Sequence, residues 1–351
     1  MNFGLTPDDM AGSKGYNEPK HQRKAVAETI VKKLDSPHII ALQEVAGDFE
    51  PNPDGTVPAT QNMQQLMNAI KKAGGPQYRY AEVAPIKNAD GGRDGANIRC
   101  GFLYRPDRVR LYETNTKAGP TTAASITTID GQPHLSGGNP VRIDPENVAF
   151  QRARKAIVGE FIDQKTGETY FISNVHFTAR IRGKRAEERG FAGDVQEAEN
   201  AKRSQRRVAQ ATAITALNDD LLKHIAAPEN RASKIHVVTL GDLNTTLNQS
   251  NDTATSENPE PALSVFEQSD LHRACADFNR SHDYSAHTIR EEGIQDTVDH
   301  IFVSPELEKR IGKVKRSNII DAKGITAASD HNPTVININP EKLIGQFANR
   351  Q

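Results

Sequence analysis

Side chains able to hold a metal or move a proton recur at the ends of apolar runs in this chain. Glu44 follows His38–Leu42, and Asn174 and His176 close Phe171–Val175. Asp242 and Asn244 follow the run that begins at Ile235, Asp299 precedes Ile301–Val303, and Asp330-His331 precedes Thr334–Ile338. Each alone is also explained as a solvated strand end or a turn, since Asp, Asn and Gly form turns readily. Together they assemble carboxylates, amides and imidazoles with few soft ligands, a set that suits Mg²⁺ or Mn²⁺ rather than zinc, with Ca²⁺ a further candidate. Beside such a cation, carboxylate–imidazole pairs serve in-line displacement at phosphorus. An acid orients the attacking water, and imidazoles stabilise the phosphorane oxygens or protonate the leaving group.

Strands must carry these groups to one place. Ile235-His236-Val237-Val238-Thr239-Leu240 reads as a strand buried on both faces. In an open α/β sheet, chemistry collects at the carboxyl ends of strands, where Asp242 lies. If the strand runs on, Asp242 and Asn244 share a side. Further strands are expected at Tyr78–Val83, Asn97–Tyr104, Ala156–Phe161 and Tyr170–Val175, the last two joined at Lys165-Thr166-Gly167. Others are expected near Val298–Val303, Val314–Ile320 and Thr334–Ile338. Helical periods mark Val26–Leu34, Met63–Ile70 and a long stripe from Val208 to Ile225, whose amino-terminal approach carries Lys202, Arg203, Arg206 and Arg207. A short helix is expected at 261–268. Residues 113–147, rich in Thr, Gly and Pro, read as an irregular excursion from the core. Strands and helices interleave without βα-barrel alternation, so the expected class is a mixed-sheet α/β fold in one domain over 1–351.

The bulk composition bounds this further. Of 351 residues, 36% are hydrophobic and 25% charged, Trp is absent, and the formal net charge is −1. Overall charge therefore selects no partner. Its distribution is uneven: residues 180–207 carry nine Lys/Arg against five Asp/Glu, whereas 246–299 carry three against eleven. Two cysteines, Cys100 and Cys275, are too few for a disulfide framework or a Cys-based zinc site. No signal peptide is read, and no apolar run nears the ~18 residues of a membrane span.

Six segments in order, Leu42-Gln43-Glu44, Gly101-Phe102-Leu103-Tyr104-Arg105-Pro106, Asn174-Val175-His176, Gly241-Asp242-Leu243-Asn244, Asp299-His300-Ile301-Phe302-Val303-Ser304 and Ser329-Asp330-His331-Asn332-Pro333, resemble the endonuclease/exonuclease/phosphatase superfamily, within it the deoxyribonuclease-I-like, bacterial nuclease-like members. The resemblance implies an α+β four-layer sandwich, two mixed β-sheets face to face with helices outside, and a site at one end. It implies Glu44 as principal metal ligand and Asp330 as a metal-associated acid. Asp242 would position or deprotonate the water, Asn244 would hold the phosphate, and His331, oriented by Asp299, would be the reacting imidazole. His176 corresponds to the second imidazole of deoxyribonuclease-like branches. Asn174, Tyr104, Arg154 and Arg180 are expected to contact substrate. The family's first strand ends in Asn-x-Asn, Asp or Glu, and here only Asn2 can fill the second of those positions, as a further metal donor in a clipped strand near Glu44.

The expected activity is a metal-dependent phosphodiesterase acting on nucleic acid, DNA or RNA. Arg180, Arg182, Lys184, Arg185 and Arg189, following His176, are placed to bind successive phosphates, or else form a solvated helix lead-in with Glu187, Glu188, Glu197 and Glu199. Two alternatives remain: a phosphomonoesterase or lipid-headgroup phosphodiesterase of the same superfamily, and a non-catalytic binding protein on this scaffold. No membrane association and no obligate protein partner is inferred, and no motif reports an oligomeric state. The resemblance leaves a secreted or periplasmic location open.

Overall fold

The computed structural model describes residues 19–48, 50–91, 95–181, 190, 193–226, 234–245, 261–273, 289–291, 294–316, 329 and 331–339. Its centre is a pair of facing sheets. The first runs β1–β3–β2, with β1 at Ile39–Val45, β2 at Arg79–Glu82 and β3 at Arg99–Tyr104, and its described pairings are antiparallel. Alternation along these strands divides their side chains. Ala41, Cys100, Phe102 and Tyr104 turn into the core shared with the second sheet. Ile40, Leu42, Val45 and Leu103 turn outward, under α1 (Pro19–Glu28) and α2 (Thr60–Lys72), where they meet Val26, Ile30, Met63, Leu66 and Ile70. Each such fully buried aliphatic side chain contributes about 1.5–3 kcal/mol.

The second sheet builds on β4 (Val109–Leu111), β8 (Ile157–Asp163), β9 (Thr169–His176), β10 (Ile235–Asp242) and β14 (Asp299–Val303), in the order β14–β10–β9–β8–β4. It is mixed: β9 and β10 are parallel, while β10–β14 and β8–β9 are antiparallel. Phe102 meets Phe161 edge-on across the sandwich, ring centroids 5.3 Å apart. The outer face is covered by α3 (Asp194–Ala226), whose Ala211, Ile214, Leu217 and Leu221 are buried, and by α4 (Pro261–Glu267), whose Phe266 stacks on Phe302. Layers therefore run helices, sheet, sheet, helices, the α+β sandwich expected. Further described strands are β11 (His272–Arg273), β15–β16 (Ile311–Arg316, Thr334–Ile338) and the pair β12–β13 (Ile289–Glu291, Ile294–Asp296).

Two sequence expectations change. Residues 113–147 are not an irregular excursion throughout: β5 (Ser125–Ile129) and β6 (Gln132–Ser136) form a hairpin, and β7 (Val141–Arg142) joins β8. Asp130 (φ 51°) and Gly131 (φ 76°) close the hairpin, the positive-φ pair that a two-residue turn requires. Buried Glu160 of β8 anchors it, accepting the Leu135 N–H at 3.0 Å and pairing with His134 Nδ1 at 2.7 Å. The second change concerns the long helix, which already starts at Asp194. Lys202, Arg203, Arg206 and Arg207 thus lie on it rather than before it.

Candidate active site

Register brings the expected groups together before any side-chain detail is considered. Asp242 pairs with His176 across β10–β9 and with Asp299 across β10–β14, so the three stand in one row across neighbouring strands and share the face turned toward the first sheet. Gly241 makes the close approach. It sits at φ 142°, and a Cβ there would lie 2.0 Å from the Val175 carbonyl oxygen. No side chain fits, which explains why the apolar run ends in Gly.

Glu44 reaches this row from the opposing sheet by a break in its strand. Leu42 pairs with Gly101 and Val45 with Arg99, so Gln43 and Glu44 together oppose Cys100. This two-against-one count is a β-bulge. Regular alternation would send Glu44 outward with Leu42. Instead Val45 joins Leu42 under the helices, and Glu44, in the left-handed region at φ 55°, faces His176 with Oε1 3.8 Å from Nε2. Such backbone strain in a non-Gly residue concentrates at functional sites.

His176 also lies 3.4 Å from Asp242 Oδ2. Burial, then the positive charges of Arg154 and His331, hold its pKa well below the ordinary histidine value, which keeps the ring neutral near pH 7. Asp242 Oδ1 accepts the Asn244 N–H at 2.8 Å. The strand ends at Asp242, and Asn244 turns back at φ 50°, the strand-to-turn alternative. Asn244 Nδ2 still reaches the same end, donating to the Phe177 carbonyl at 3.2 Å, which also accepts Arg154 Nη2 at 2.6 Å. His331 Nδ1 meets Asp299 Oδ2 at 2.7 Å. That bond fixes the orientation of the ring. His300, on the other face of β14, bonds the Thr245 carbonyl at 3.0 Å and holds the loop after Asn244.

The other expected site residues divide. Tyr104 is not at this end. It pairs with Ile39, the opposite end of β1 from Glu44, and its ring packs edge-on against Phe161. Asn174 is fully buried and spends its amide on protein groups, described below. Arg154 stands beside Asn244. Burial lowers its pKa, and the nearby charges of Glu44 and Asp242 oppose that shift. Arg180 is half-buried on the loop after His176. Asn2 and Asp330, and with them Arg182, Lys184, Arg185 and Arg189, lie outside the described residues, as does Cys275. Three arginines of α3 prove to be loop anchors. Arg203 donates to the Ala179 carbonyl and pairs with Glu199, Arg206 donates to the Ala149 and Gln151 carbonyls, and buried Arg207 donates to Thr178. These bonds were invisible in a sequence that shows only charge.

As donors, Glu44, Asp242, Asp299 and Asn244 offer hard oxygens, and the side chain of Glu44 is 34% exposed while Asp242 is 4% exposed. That set fits a hard divalent cation held at Glu44. Cys100 is buried in the core, so no described thiol competes. Among the described residues no three His, Cys, Asp or Glu side chains are already gathered in metal-holding geometry. No described helix is long and apolar enough to cross a membrane.

Solved structures of low sequence identity share this fold. An endonuclease/exonuclease/phosphatase from Bacteroides vulgatus shares 16% identity over 97% of both chains, with a TM-score of 0.51. A humanised D. rerio TDP2 shares 13% over 97% of both, TM-score 0.50. A 3'-5' exonuclease from Neisseria meningitidis shares 13% over 91% of this chain and 95% of its own, TM-score 0.48. At these identities the first two likenesses speak for the fold alone. No curated protein sequence matches. The profile of the Endonuclease/Exonuclease/phosphatase family matches residues 10–331, and the chain belongs to that family.

Proposed function

We propose that the chain is a metal-dependent phosphodiester hydrolase that cuts nucleic acid, DNA or RNA, by in-line attack of water. The observation that carries this is the row His176–Asp242–Asp299 with His331 docked on Asp299, facing Glu44 across the sandwich. Asp242, held by the Asn244 N–H, would orient and deprotonate the water. Asn244 would release Phe177 and hold a phosphoryl oxygen. His331, with Nδ1 fixed by Asp299, would stabilise or protonate the departing oxygen through Nε2. His176, neutral through burial, would donate a hydrogen bond without adding charge. A bound divalent cation would supply charge neutralisation at the phosphate.

Nucleic acid is favoured as the substrate class by Arg154, which stands beside Asn244 at the site end, and by Arg180 on the adjoining loop. One assay tests the function: the protein with Mg²⁺, Mn²⁺ or EDTA against plasmid, linear duplex, single-stranded RNA and a phosphomonoester. Cation-dependent cleavage of a polynucleotide is expected. Hydrolysis of the monoester alone would replace the proposed substrate class, and activity that survives EDTA would remove the metal.

A further inference from the structure

The bulge that turns Glu44 inward needs a cause. Leu42 sits outward and Gln43 inward, so the next residue of a regular strand belongs outward with α2. Only the extra residue lets both Gln43 and Glu44 occupy the inner face while Val45 returns to the helices. If the bulge slipped into a regular ladder, parity would move Glu44 to the wrong side of its sheet.

One side chain from the other sheet sits where the ladder breaks. Asn174, two residues before His176 on the same face of β9, donates through Nδ2 to the carbonyls of Leu42 at 3.0 Å and Gly101 at 2.9 Å. Those are the last paired residues before the bulge. Its Oδ1 accepts from Gln43 Nε2 at 2.6 Å, so the bulged residue itself is held. Asn174 and Gln43 are both fully buried. Three bonds from one amide thus tie β1 and β3 to β9 in the row next to the candidate site. The amide thus grips the last regular pair of the ladder and the first residue of the bulge.

We infer that Asn174 is a positioning residue: it clamps the bulge between the facing sheets and thereby fixes Glu44 opposite His176 and Asp242. This rests on the proposed hydrolase function for its chemistry, and it corrects the expectation that Asn174 meets substrate. Removing the clamp should weaken whatever Glu44 holds more than it weakens polynucleotide binding.

The test is Asn174→Ala in the full chain, with Mn²⁺ binding measured by calorimetry without substrate, alongside kcat and KM on a polynucleotide. Loss of groups that orient a metal ligand typically costs about 10–100-fold in metal affinity or activity. We expect a shift of that size in the Mn²⁺ Kd and in kcat, with KM at saturating metal within about threefold. Gln43→Met, which keeps the packing and both carbonyl bonds, should move Mn²⁺ affinity the same way by a few-fold and covers the case in which Asn174→Ala does not fold. In a Glu44→Gln background Asn174→Ala should have almost no further effect on kcat, because both act through one group. A lowered Tm with unchanged Mn²⁺ affinity and kcat in the Asn174 or Gln43 variant would overturn the clamp, as would full additivity with Glu44→Gln. A wild-type chain that neither binds Mn²⁺ nor cuts a diester would overturn the hydrolase proposal itself, a different outcome from active wild type matched by Asn174→Ala.

Discussion

At the end of the sandwich away from Glu44, where β9 and β10 begin, Arg310 grips Glu168 through both guanidinium nitrogens at 2.9 and 3.0 Å, and Tyr170 donates to the same carboxylate at 2.8 Å. Burial works to raise the Glu168 pKa, but the bonds from Arg310 and Tyr170 prevail and hold it below the ordinary carboxylate value. At the other end of the same two strands, Asp242 and Glu44 face the neutral His176 at 3.4 and 3.8 Å, and two non-glycine residues, Glu44 and Asn244, sit in left-handed backbone. One end saturates its buried charge and gains a fixed structure. The other sets two carboxylates at longer range around a neutral ring. On the proposed function, the difference separates a cluster that stabilises the fold from one that takes a ligand.

The largest stability effect belongs at the saturated end. Arg310→Met should cost about 3–5 kcal/mol, because it strands a buried carboxylate, while kcat per folded molecule stays unchanged. Denaturant unfolding with parallel assays checks both. Gly241→Ala, at the site end, should cost roughly 2–5 kcal/mol through overlap with Val175 and a strained φ and should also lower activity, since Asp242 follows it. If Arg310→Met proved as harmful to turnover as to stability, the two ends would not be distinct.

Acid titration sharpens the contrast. A depressed folded-state pKa gives stability that is fully present above the unfolded value, about 4.3 for Glu, and is lost as pH falls through the folded one. The Tm difference between wild type and Arg310→Met should therefore shrink as pH falls, beginning where the stranded Glu168, raised by burial once Arg310 is gone, takes up a proton and ending where the paired Glu168 of the wild type does. A gap that widens on acidification would contradict the pairing. Smaller still is Gly131→Ala in the hairpin turn. No atom lies within 4 Å of the added Cβ, so only φ 76° is strained, at about 1–2 kcal/mol with activity retained. Finally, exchanging Arg180, Arg182, Lys184 and Arg185 for Ser should leave stability nearly unchanged and reduce the log–log salt slope of duplex binding by roughly 0.9 per lost phosphate contact. An unchanged slope would make that segment a solvated surface.

What could be read from the chain beforehand follows which information is local. The strand Ile235–Asp242 was legible because an apolar β-branched run stops at a Gly where only Gly fits. The pairing of Asp299 with His331 followed from family order, and the structure supplies the bond. Direction is not local: the resemblance puts Tyr104 in contact with substrate, but antiparallel pairing with β1 carries it to the far end. Asn174 was legible as a buried-strand amide, yet its partners come from strands more than 70 residues earlier in the chain. The hairpin at 125–136 went unread because its outer strand is almost wholly exposed and lacks apolar alternation, although Asp130-Gly131 carried the turn signal. The Glu44 bulge left no mark in sequence at all, since a regular strand would show the same residues.

The central claim is that the row opposite Glu44 performs hydrolysis rather than stabilising the sheet ends. The most direct measurement is cleavage of a plasmid or RNA with Mg²⁺ by Asp242→Ala and by His331→Ala, each with its Tm. Loss of about 10²–10⁴ in kcat in both, with melting close to wild type, is the expected result. Near wild-type turnover in either variant, with the protein folded, would contradict it.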